Sequence, residues 1–158
     1  MQSLEVNIPG MDAPLRLEAI VLDYNGTIAR DGKILDGVAE RLEKLAEQVP
    51  IYVLTADTFG SAAKQCAALP VELKTFPKDK TTEVKAKICK ELGVPFVAIG
   101  NGQNDIQMFD LAELAIGIME KEGICAKLIS HADVMVSSPA DALDLLLIPN
   151  RLRATLRN

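Results

Sequence analysis

No surplus of positive charge, no long apolar run and no paired-cysteine motif occurs in this sequence, and each absence closes off a class of function. Seventeen Lys and Arg stand against twenty-two Asp and Glu, a net charge of −5. That is the wrong sign for a chain whose affinity would come from neutralising a phosphodiester backbone, so nucleic acid is not an expected partner. The clean apolar stretches, such as Leu145 to Ile148, are a few residues long, whereas a membrane-spanning helix needs roughly 20. No membrane segment is expected, and the N-terminus lacks the basic start and apolar block of a secretory signal. Cys66, Cys89 and Cys125 are scattered, with no CxxC pair, which suits a reducing cytoplasm. Each lies on an apolar-patterned helical stretch and reads as a packing residue. His131, the only histidine, falls at a predicted helix end and reads as a surface or capping residue.

What is present is the composition of an ordinary folded domain. Over 158 residues, 49% are apolar and 25% charged, enough to bury a core and far from a disordered composition. A single domain over residues 1–158 is the expectation. Leu4 to Ile8 alternates, Pro9 and Gly10 interrupt it, and Leu15 to Leu22 resumes as an apolar run, which predicts an N-terminal β-hairpin. From there helix and strand patterns alternate. Helices are predicted from Val38 towards Pro50, over Thr58 to Leu69, Lys80 to Leu92, Asn104 to Ala112 and Gly123 to His131, and from Ala140 onward. Between them lie strands at Ile51 to Leu54, Val71 to Leu73, Phe96 to Ile99, Ala115 to Ile118 and Val134 to Val136. Strands separated by helices of this length cannot pair as hairpins, so the sheet should be mostly parallel, in an α/β three-layer fold with helices on both faces. Ligands in such folds sit beyond the carboxyl ends of the strands.

Three predicted strands end in polar clusters. Leu22 is followed by Asp23-Tyr24-Asn25-Gly26-Thr27, Leu54 by Thr55-Ala56-Asp57-Thr58, and Ile99 by Gly100-Asn101-Gly102-Gln103-Asn104-Asp105. Any one of these could be a turn or a helix cap. Together they bring two carboxylates and a hydroxyl to one edge of one sheet, which capping does not require. Two rival motifs fail on spacing: the third glycine of a dinucleotide fingerprint is missing after Gly100 and Gly102, and no Walker-type Gly-x-x-x-x-Gly-Lys-Ser/Thr occurs.

The set of clusters resembles the haloacid dehalogenase superfamily, and within it the phosphorylation domain of P-type ATPases. The resemblance implies a Rossmann-like core, and the short intervals between the clusters leave no room for a cap domain or a nucleotide-binding domain. It assigns Asp23 as nucleophile, Thr55 as a phosphoryl-holding hydroxyl, and a lysine in Pro77-Lys78-Asp79-Lys80, with Lys80 preferred and Lys78 the alternative. Gly26, Thr27, Ala56 and Asn104 would contact substrate. Asp23, Asn25, Asn101 and Asp105 would hold Mg²⁺. Asp57 reads as a helix cap, with a place at the site mouth as the alternative. Arg151, Arg153 and Arg157 match the dipole of the last helix.

This resemblance implies a Mg²⁺-dependent phosphatase or phosphotransferase that passes through an aspartyl-phosphate, acting on a phosphorylated small molecule or phosphoprotein. The sequence departs from the family at two positions. Asn25 stands where the family's phosphatases carry an Asp that serves as general acid and base, and Asn101 replaces another Asp. An amide cannot exchange that proton, so hydrolysis should be slow and the cation weakly held. The alternative is a weakened relative that binds a phosphorylated ligand or a protein partner. The N-terminal hairpin is a candidate edge for a homo-oligomer.

Overall fold

The computed structural model describes residues 3–56 and 60–158. The predicted cap Asp57 and the start of the helix assigned from Thr58 lie outside them. Strands β1 (Leu4–Val6) and β2 (Leu15–Leu17) pair antiparallel as the expected hairpin. The long apolar run breaks at Glu18, whose N–H donates to the Pro95 carbonyl at 2.8 Å. The chain thus leaves the hairpin and enters the main sheet as β3 (Ala19–Asp23).

A second small hairpin follows, β4 (Ala29–Arg30) with β5 (Lys33–Ile34). Its strands are too short for any periodicity to reveal. The remaining elements are α1 (Val38–Ala46), β6 (Ile51–Thr55), α2 (Ser61–Cys66), β7 (Glu72–Thr75), α3 (Thr81–Leu92), β8 (Phe96–Gly100), α4 (Ile106–Leu111), β9 (Leu114–Ile118), α5 (Ala126–Ile129), β10 (Val134–Val136), α6 (Pro139–Leu147) and α7 (Pro149–Leu156). The helix expected from Ala140 onward is two helices because Pro149 cannot continue a helical ladder; it opens α7 instead.

Six strands form one parallel sheet in the order β10-β9-β8-β3-β6-β7. β3 is central, and all five of its residues are buried. Its side chains alternate between two cores. Ile20 and Leu22 join Leu42, Leu45, Leu143 and Leu146 on one face, while Ala19 and Val21 join Cys89, Met108 and Phe109 on the other. A parallel strand covered on both faces must be apolar at every position, which is why β3 reads as a continuous run. Burying each large aliphatic side chain contributes about 1.5–3 kcal/mol. That core fixes β3, β6 and β8 side by side, so their carboxyl ends open at one edge.

Candidate active site

At that edge lies a cleft of about 650 Å³ whose floor includes Asp23, Thr55, Lys85 and Asn101. Asp23 is the last residue of β3. Its carboxylate is mostly covered, with 12% of the side chain exposed. Thr27, fully buried, donates its hydroxyl to Asp23 Oδ2 at 3.2 Å. The turn that brings Thr27 back is built around one acceptor, since the Tyr24 carbonyl receives the N–H groups of Thr27, Ile28 and Ala29. Gly26 permits it with φ of 79°, and a Cβ there would lie 2.2 Å from Asn101 Nδ2, so only glycine fits.

The lysine bonded to Asp23 is neither Lys80 nor Lys78. Lys80 takes a left-handed conformation (φ 56°) at the start of α3, is exposed, and is not part of the cleft lining. Lys78 lines the cleft. Lys85, in the second turn of α3, occupies the centre: its ammonium donates to Asp23 Oδ1 at 2.9 Å, to Asp105 Oδ1 at 2.8 Å and to Asn104 Oδ1 at 3.0 Å. Only 2% of the Lys85 side chain is exposed. Burial opposes the charge, yet the Asp23 and Asp105 carboxylates outweigh it and hold the Lys85 pKa above the ordinary lysine range. The sequence signal for Lys85 is a charge on the buried stripe of α3, beside Ala86 and Cys89.

Asp105 differs from its expected role as a cation ligand. It is fully buried, and both oxygens are engaged: Oδ1 by Lys85 and Oδ2 by the N–H groups of Asn101 and Gly102 at 3.2 and 3.1 Å. Burial, and then the Asp23 charge, push its pKa up against the pull of Lys85. The residue therefore anchors the lysine and the loop rather than facing the cleft. Among the described residues no three His, Cys, Asp or Glu side chains converge as a metal centre. The groups that face the cleft include the Asp23 carboxylate with Asn25 and Asn101, a set of one carboxylate and neutral oxygens. Asn101 Oδ1 is the alternative acceptor for the one Thr27 hydroxyl proton at 3.3 Å, and its Nδ2 donates to the Gly123 carbonyl at 3.1 Å.

The other expected contacts divide. Ala56 and Asn104 line the cleft, and Asn25 lines it while exposed to solvent. Thr27 acts beneath the floor, through Asp23. The rim residues that the sequence did not single out include two acids, Asp31 on the β4–β5 turn and Glu122 in the loop after β9. Cys89 lies under the site, where burial pushes its thiol up to about 12, in keeping with a packing role.

No family model matches the chain. It is 43% identical over 79 residues to uncharacterized protein MJ0073 of Methanocaldococcus jannaschii, spanning 47% of this chain and 85% of that protein. It is 64% identical over 39 residues to uncharacterized protein MJ0072 of the same organism, spanning 25% of this chain and 89% of that protein. The chain belongs to the family of these two proteins. Among solved structures, 3-deoxy-D-manno-octulosonate 8-phosphate phosphatase from Moraxella catarrhalis superposes with a TM-score of 0.69 at 14% identity, covering 89% of this chain and 94% of that one. The fold is that of a capless haloacid dehalogenase.

Two further structures share this haloacid dehalogenase core. A phosphoserine phosphatase in its apo form gives a TM-score of 0.65 at 16% identity, over 84% of this chain and 98% of that one. A zinc-transporting PIB-type ATPase gives 0.62 at 24% identity, over 77% of this chain and 20% of the ATPase. The short connections of the core account for the lack of a cap. Only β4, β5 and α1 separate β3 from β6, and among the described residues only α2 and β7 separate β6 from α3.

Proposed function

We propose that the protein is a phosphomonoester hydrolase or phosphotransferase that works through a phosphoryl group on Asp23. The observation that carries this reading is the Asp23 carboxylate at the floor of an open cleft, gripped by the Lys85 ammonium on one oxygen and the Thr27 hydroxyl on the other. Those two donors fix the carboxylate before any substrate arrives. The fold shared with two phosphatases and a zinc-transporting ATPase supports the same reading.

A carboxylate and a phosphate dianion repel, by about 4 kcal/mol for two unit charges at 4 Å and an effective dielectric of 20. Lys85 offsets part of this. It already serves two carboxylates, so Asp23, Asp105 and Lys85 together carry a net negative charge. The cleft-facing donors fit Mg²⁺ of the kind bound by one carboxylate, substrate phosphate and retained water: Asp23, with oxygens of Asn25 and Asn101, would hold it. Bound there, it would neutralise charge between nucleophile and phosphate. Thr55, on the cleft floor at the end of β6, would donate its hydroxyl to a phosphoryl oxygen, and Lys78 would attract the phosphate at the mouth. The substrate class is a phosphorylated small molecule or a phosphorylated protein segment, since no cap closes the cleft among the described residues.

The test is incubation with an aryl phosphate and Mg²⁺, with mass spectrometry of the acid-quenched protein. Turnover, together with an added phosphoryl mass that disappears in Asp23→Asn, supports the proposal. Binding of inorganic phosphate without turnover would favour the ligand-binding alternative.

A further inference from the structure

An alkyl phosphate leaves as an alkoxide, which needs a proton as the P–O bond breaks, and the water that later attacks the phosphorylated carboxylate must lose one. Asn25 can do neither. Asp23 is occupied as nucleophile and Asp105 is sealed beneath the floor. Lys78, as an ammonium, donates but cannot accept. Among the described residues two further carboxylates stand in the cleft lining, Asp31 and Glu122.

The geometry points to Asp31 as the proton-exchanging catalytic residue of this site, an inference that rests on the phosphatase reading above. Three contacts hold its turn over the cleft. Arg30 makes a paired contact with Glu120, 2.8 Å on each oxygen. The Tyr24 hydroxyl donates to the Gly32 carbonyl at 2.8 Å, and Ile34 N–H donates to Gln65 Oε1 at 3.1 Å. Asp31 takes a left-handed conformation, φ 52°, followed by Gly32 at φ 81°, as the tight two-residue Asp-Gly turn of this hairpin requires. Glu122 is tied into the same rim because its Oε2 accepts the Asp31 N–H at 3.3 Å. Among the described residues the Asp31 carboxylate has no hydrogen-bond partner, whereas the other rim carboxylate has one.

The step balances with Asp31 alone. Asp23 attacks phosphorus and the bond to the leaving oxygen breaks, while the Asp31 carboxyl gives its proton to that oxygen and releases the alcohol. Water then attacks the phosphoryl group and returns its proton to the Asp31 carboxylate. The bond to Asp23 breaks and inorganic phosphate departs.

The experiment compares an alkyl phosphate with a nitrophenyl phosphate, in Mg²⁺, for wild type, Asp31→Asn, Glu122→Gln and Asp31→Asn with Asn25→Asp. Expected in Asp31→Asn is a loss of about 10²–10⁴ in kcat/KM on the alkyl ester and a far smaller loss in the aryl burst phase, whose leaving group needs no proton. Adding Asn25→Asp should restore alkyl turnover. Equal losses on both esters, failure of rescue, or the large loss appearing in Glu122→Gln instead would overturn the assignment. A wild type inert on both esters would overturn the phosphatase reading itself.

Discussion

Lys85 Nζ lies 2.8 Å from Asp105 Oδ1, with 2% and 0% of the two side chains exposed. This buried pair crosses from α3 to the loop after β8 and leaves Lys85 bonded to Asp23 as well. Replacing the lysine alone strands a buried carboxylate, which typically costs 3–5 kcal/mol. Lys85→Met should therefore lower urea stability by roughly that amount, and adding Asp105→Asn should recover much of it. Simple additivity of the two losses would show that the pair is not coupled.

The same pair sets an alkaline limit. The Lys85 pKa is raised in the folded state, chiefly by the two carboxylates against the cost of burial. Its contribution is fully present below the unfolded value of 10.5 and is lost as pH climbs above that value. In EDTA, wild type should lose more Tm between pH 9.5 and 11.5 than the Lys85→Met/Asp105→Asn protein, an interval of about one unit on either side of the ordinary lysine value. Parallel curves would contradict this.

The two lysines on either side of the α3 start should behave oppositely. Lys80→Gly relieves a left-handed backbone worth about 1–2 kcal/mol and should leave aryl phosphate turnover within about twofold while raising Tm. Lys85→Met should lower kcat by about 10²–10³, the scale of one lost charge-stabilising donor. Steady-state kinetics on both variants decide the matter.

At Gly100 a Cβ would lie 2.4 Å from Asp105 Oδ2, and its φ is not positive, so the obstacle there is steric. Gly100→Ala should push Asp105 away from the Asn101 and Gly102 amides, costing about 1–3 kcal/mol along with most activity. Denaturant melts and a phosphatase assay on the same preparation test both halves.

Asn25→Asp puts a proton-exchanging group into the cleft lining at a solvent-exposed position. Turnover of an alkyl phosphate should rise by about ten- to a hundred-fold. An unchanged rate with an unaltered melting curve would mean that residue 25 does not approach the leaving group.

The sheet and the place of Asp23 at a strand end were legible because a doubly covered parallel strand leaves an unmistakable apolar run, and because polar residues massed at three strand ends. The lysine was not. A motif gives spacing along the chain, whereas α3 starts at Thr81 and carries residue 85 inward on a face that otherwise holds Ala86 and Cys89. Asp105 stands at the expected edge, but its contacts with Lys85 and two backbone amides were not legible, since they depend on a loop conformation that composition does not encode. Asp31 and Glu122 meet only because β4–β5 and the loop after β9 fold together over ninety residues of separation, beyond any local pattern.

The central position of β3 has a consequence for how the protein comes apart. Its amides pair with β6 on one side and β8 on the other, so none can exchange with solvent by fraying from an edge. Deuterium uptake at Val21 and Leu22 should proceed only through whole-molecule opening, so Asp23 should keep its place at the strand end while the rim above it loosens.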